Sequence, residues 1–231
     1  MISLMKLEFK KFNIWKYGIS FIIITAAILS LTALIVLIDV DEEVVITSGQ
    51  ELLAIGDVFI RVTFTIFAGV LISSLIISEF KNSTIKIMFT YPIPRKKIMG
   101  AKLLITWLII FTAIILENVL ITLGLRILVS MIPVIPEGIT YSDITFRSSA
   151  ILYSALVTSG FSLIPLFFGL KKKSTSTTII ASVITSFLIN GSIGNPGTTL
   201  YSVTVIPVLL CAAGVLVAIF SYHNIEKMDI N

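Results

Sequence analysis

Apolar runs of about twenty residues recur six times along this chain, and runs of that length leave a sequence few folds to choose from. In hydrocarbon every backbone N–H and C=O must find its partner within the protein. A helix meets that demand within one segment, whereas an open strand edge does not. The runs fall at about 17–38, 56–78, 101–125, 148–169, 174–190 and 201–222. Only 13% of the residues are charged, about half the share of an ordinary soluble domain, so the polar residues are too few to cover a water-facing surface. The expected fold is an all-α integral membrane protein, a single transmembrane domain over residues 1–231 with six transmembrane helices.

The charges set the orientation. Residues 79–102 carry Lys81, Lys86, Arg95, Lys96, Lys97 and Lys102, and a second basic group stands at Lys171, Lys172 and Lys173. Lys and Arg beside span ends collect on the cytoplasmic face. With both termini inside (N-in/C-in), cytoplasmic segments hold 14 of the 17 Lys and Arg. The opposite segments, which include Asp39, Asp41, Glu42, Glu43, Glu51 and Asp57, hold eight of the 13 acidic residues. Arg61, Arg126 and Arg147 then sit at outer span ends, where long side chains snorkel toward headgroups. Residues 1–16 place Leu4, Leu7, Phe12 and Trp15 among Lys6, Lys10 and Lys11, the pattern of an amphipathic interfacial helix. The apolar run behind them is too long for a signal-peptide core and no small-residue cleavage site closes it, so it reads as a retained span.

Chemistry-bearing motifs are sparse. There is no Gly-x4-Gly-Lys-Ser/Thr phosphate loop and no His/Cys/carboxylate spacing suited to a metal. The single cysteine, Cys211, lies in an apolar run and reads as a packing residue. The expectation is a protein that is not an enzyme and holds no cofactor of its own. Glu117 is the one acidic residue deep in a span. Two readings stand for it: a neutral, hydrogen-bonded carboxyl that holds helices together, or a group of the translocation path that senses a cationic substrate.

The segment 79–100, between spans two and three, is too long for a turn and too apolar, with Ile85, Ile87, Met88 and Phe89, for a bare solvated linker. It reads as a short amphipathic helix followed by a Tyr-Pro-Ile-Pro break. Its order is Glu79, then Asn82-Ser83-Thr84, then Pro92, Pro94-Arg95 and Gly100-Ala101-Lys102. That order, within a six-span layout with a basic N-terminal helix, resembles the ABC-2 type permeases, the membrane subunits of ABC exporters. The layout covers the whole chain, while the motif is confined to about 24 residues. Many members have a glycine where Ser83 stands, so any tight turn here is made without one.

The resemblance implies that the segment is a cytoplasmic coupling helix gripped by a separate ATPase. Its contact residues would be Glu79, Asn82, Ser83, Thr84, Lys86, Pro94 and Arg95. Glu79 would complement the dipole of a new helix, and Asn82 to Thr84 would cap it. ATP would be bound by the partner, in two copies, and this chain would dimerise in the cell membrane. No nucleic-acid partner is expected. The implied function is ATP-driven export of a hydrophobic or amphipathic substrate, with bacteriocin or peptide-antibiotic export and self-immunity as the narrower reading. The abundance of Ile and Lys points to an AT-rich bacterial genome. The alternatives are a non-transport structural or signalling membrane protein and, with less in its favour, a secondary transporter. The residues alone also fit a basic loop that does no more than fix topology.

Overall fold

The computed structural model describes residues 14–39, 49–82, 94–131, 141–191 and 200–224. The described residues are helical and contain no strand. Helix α1 spans Ile14–Asp39 and α2 spans Gly49–Ile72. A π-helical segment, Ser73–Ile77, then carries α2 into one last turn, Ser78–Lys81. Helix α3 spans Arg95–Met131 and α4 spans Tyr141–Phe161. Helices α5 and α6 run over Pro165–Lys172 and Thr175–Asn190. A 3-10 turn at Leu200–Ser202 precedes α7, Val205–Asn224.

Five stretches are long and apolar enough to cross a membrane: Tyr17–Val36, Gly49–Lys81, Lys96–Ser130, Arg147–Lys172 and Val205–His223. Helix α6 is apolar but shorter, at 16 residues. At 1.5 Å per residue α6 is about 24 Å long and α3 about 56 Å, against a hydrocarbon core of about 30 Å. The protein is therefore an all-α, multi-pass membrane protein whose third helix reaches well past the lipid. The expected interfacial helix, residues 1–16, falls almost wholly outside the described residues.

Two elements begin or break where hydropathy gives no sign. Helix α2 starts at Gly49, so Glu51 and Asp57 belong to its first turns rather than to an external loop. The fourth span is interrupted at residues 162–164 and resumes at Pro165. Proline has no N–H to donate and its ring displaces the carbonyl four residues earlier, which explains a break just before it.

The described residues form two compact units, to each of which α2, α3 and α4 contribute. One takes in Phe64–Phe111 and the residues from Leu156 onward, and the other takes in the residues before Phe64 together with Thr112–Ala155. In the first unit a core cluster gathers Ile72, Ile76, Ile77 and Phe80 with Met99, Leu103, Leu163, Leu166 and Leu170. The π-helical segment and the break in the fourth span are thus packed around one apolar centre. Lys173, at φ 47°, ends α5 in the left-handed region. Ser174 then caps α6, accepting the Thr177 N–H at 3.5 Å.

Candidate functional site

At the foot of the first unit, the last turn of α2 meets the second turn of α3. Lys102 Nζ donates to Glu79 Oε1 at 3.0 Å, and the two residues are only 3% and 9% exposed. An ion pair so far removed from water has little competition from solvent, and its hydrogen bond is charge-assisted. Lys102 stands beside Met99 and Leu103 of the apolar cluster, and Glu79 beside Phe80. The pair therefore joins the two helices from which the segment 82–94 hangs.

This corrects the expected role of Glu79. It lies in the final turn of the preceding helix, not at the start of a new one, and its partner is a buried lysine rather than a helix dipole. Whether Asn82 caps a following turn falls on residues outside those described, but its place at the end of the preceding helix is clear. Asn82 is the C-terminal cap of that helix's last turn, exposed, with its N–H donating to the Ser78 carbonyl at 2.9 Å. At the other end, Pro94 is exposed and its carbonyl accepts the N–H groups of Lys97 at 2.9 Å and Ile98 at 3.4 Å, which opens α3. Arg95 is the first residue of α3. Ser83, Thr84 and Lys86 lie outside the described residues.

In the second unit Glu117 is fully buried, and its partner comes from α1. Thr25 Oγ1 donates to Glu117 Oε2 at 2.9 Å, with the Phe21 carbonyl 3.0 Å from the same hydroxyl. Glu117 Oε1 is buried with no hydrogen-bond partner among the described residues. Asn118, its neighbour in sequence, is occupied within its own helix, donating to the Ile114 carbonyl at 2.9 Å. A close approach of α1 to α3 supports the Thr25 contact: a Cβ on Gly124 would stand 2.7 Å from Leu29 Cδ2.

A second charged group in this unit was not legible in the sequence. Arg147 of α4 pairs with Asp57 of α2 and also donates to the Leu53 carbonyl at 3.5 Å. Arg61 lies one turn beyond Asp57 on the same helix face, near enough to act on its charge. Arg147 is thus held by a carboxylate rather than snorkelling freely. The expected second span already held Asp57 one turn before Arg61, but nothing in the sequence pointed to Arg147 on another helix as its partner.

Spanning helices, a buried ion pair bracketing a basic segment and a charged Asp57–Arg61–Arg147 group define a multi-pass helical membrane protein with no catalytic constellation among the described residues. The chain belongs to a known family of this class: the profile described as "ABC-2 family transporter protein" matches residues 4–190. That makes it a transporter permease subunit of the cell membrane, a family setting that implies an ABC ATPase partner. It is also similar to the uncharacterized protein YcbO of Bacillus subtilis (strain 168), 40% identical over 182 residues, 79% of each chain. No solved structure matches.

Proposed function

We propose that the chain is the permease subunit of an exporter and works as a dimer with two copies of a separate ATPase, which bind and hydrolyse the ATP. The observation that carries this reading is the Glu79–Lys102 pair. An ATPase outside the membrane moves spans only through a handle that does not bend at its attachment points. The buried pair ties both attachment points of segment 82–94 together, so a push on that segment moves the adjoining ends of α2 and α3 together. The contact surface in this reading includes the exposed Asn82 and Pro94, together with Ser83, Thr84, Lys86 and Arg95.

The substrate class is hydrophobic or amphipathic, with peptide antibiotics or bacteriocins and self-immunity as the specific case. Connections of eight or nine residues, at 40–48, 132–140 and 192–199, leave little room for a receptor domain between spans. Substrate then enters from the bilayer. Glu117 supplies a carboxyl within the spans for a cationic peptide.

The test is protection of a sensitive bacterial host against a cationic amphipathic peptide. The chain is expressed with a partner ABC ATPase, with a hydrolysis-dead form of that ATPase, or alone. The reading expects the inhibitory concentration to rise only with the active ATPase. Equal protection by the chain alone would point instead to an immunity protein that does not transport.

A further inference from the structure

The first third of α3 and the second half of α7, with Leu163, line an open cavity of about 430 Å³. That is within the range of small-ligand sites, yet its walls carry almost no polar atoms. Leu104, Trp107, Val215 and Ile219 form its sides, and Leu103 and Leu163 its floor. Both floor residues belong to the apolar cluster that packs about the Glu79 and Lys102 positions. Leu104, Val215 and Ile219 are exposed, so the cavity opens toward the lipid that surrounds spanning helices.

Its two ends differ in chemistry. On α3 the positions 96, 100, 103 and 107 follow the i, i+4, i+7, i+11 pattern of one helix face. Lys96 therefore stands directly along the helix from the cavity, and the exposed Lys97 is beside it. Tyr222 closes the same end from α7, next to His223. An aromatic with a polar tip and a pair of lysines form the headgroup-level composition of a membrane interface. Trp107, stacked on Phe111 with ring centroids 5.5 Å apart, lines the slot along the acyl region.

We infer that this cavity is a binding site for one anionic phospholipid, with an acyl chain lying along Trp107 and the phosphate toward Lys96 and Lys97. The leaflet is the one at the Lys96 end of α3, whichever face that proves to be. The inference does not depend on the transport reading. A bound chain here fills the groove behind Leu103 and Leu163 and so braces the cluster beneath the ion pair. Charge complementarity selects the lipid: a zwitterionic headgroup offers the lysines no net charge, whereas an anionic one gains roughly fivefold in affinity per lysine near the surface.

The chain has two tryptophans, so Trp15→Phe leaves Trp107 as the sole tryptophan, read selectively by excitation at a wavelength where tyrosine absorbs little. That full-length variant is reconstituted in phosphatidylcholine vesicles containing a small fraction of either brominated phosphatidylglycerol or brominated phosphatidylcholine. Trp107 emission should be quenched at a lower fraction of the brominated anionic lipid. Adding Lys96→Gln and Lys97→Gln should erase that preference while leaving quenching by the zwitterionic lipid unchanged. Ala218→Leu, which fills the groove from α7, should weaken quenching by both. Equal quenching by the two lipids in the Trp15→Phe protein would mean an ordinary lipid shell and would overturn the site. Absence of quenching by either would mean that protein, such as a second copy, covers the groove, and would overturn it as well.

Discussion

Glu79 and Lys102 lie 23 residues apart in sequence and form an ion pair between α3 and the last turn of α2. Removing one member leaves the other's charge buried without its ion-pair partner, and breaking a buried pair costs about 3–5 kcal/mol, whereas removing both takes away both charges. Glu79→Gln and Lys102→Met should each lower the thermal transition of the detergent-solubilised protein strongly, and the double variant should recover much of the loss. Strictly additive shifts would show that the two side chains do not act on each other. At Glu117 the expected effects are smaller. Thr25→Val deletes an interhelical hydrogen bond, and such bonds in membranes contribute about 0.6 kcal/mol and seldom above about 1.7. Glu117→Gln keeps an acceptor for Thr25 and removes the charge, so folding should be retained while protection against a cationic peptide falls. Unchanged protection at normal expression would leave Glu117 a purely structural role. The sequence marked Glu79, Lys102 and Glu117 as residues of interest, yet it identified none of their partners. Hydropathy fixes which segments cross the membrane but not how each helix is rotated about its axis, and partner choice is a matter of rotation.

The helices themselves were more legible than their ends. The expected spans at 17–38 and 201–222 lie close to α1 and α7, because those runs are apolar all round and end at polar residues. The start of α2 was misplaced because Gln50 and Glu51 lower the hydropathy of its first turn. The contact of α4 with α7 depends on a feature that composition does not reveal. A Cβ on Gly214 would stand 2.1 Å from the Gly160 carbonyl oxygen, a backbone atom that cannot swing aside. Gly214→Ala should therefore push the helices apart and lower both yield and thermal stability. A Cβ on Gly18 meets nothing within 4 Å, so Gly18→Ala is the matched control and should be neutral. Equal stability of the two variants would show that α4 and α7 do not cross at Gly160 and Gly214.

Taken as one polytopic protein, the chain has an orientation that follows from where its lysines and arginines fall relative to the spans. In a Cys211→Ser background, single cysteines at 41–48 and 192–198 should react with an impermeant thiol reagent added to intact cells. Cysteines at 81–97 and 171–173 should not. Labelling of Lys96→Cys from outside would invert the arrangement. The coupling role of the segment between α2 and α3 makes a more pointed demand, because two basic regions share the predicted cytoplasmic side and only one is bracketed by the buried pair. Asn82 and Lys172 are both exposed, which makes them comparable anchors for a crosslinker. The decisive measurement is crosslinking of Asn82→Cys and Lys172→Cys to the partner ATPase in membranes, each in the Cys211→Ser background and each with and without ATP. The account predicts strong, nucleotide-dependent adducts from position 82 and weak ones from position 172. The reverse pattern, or equal adducts from both, would contradict it.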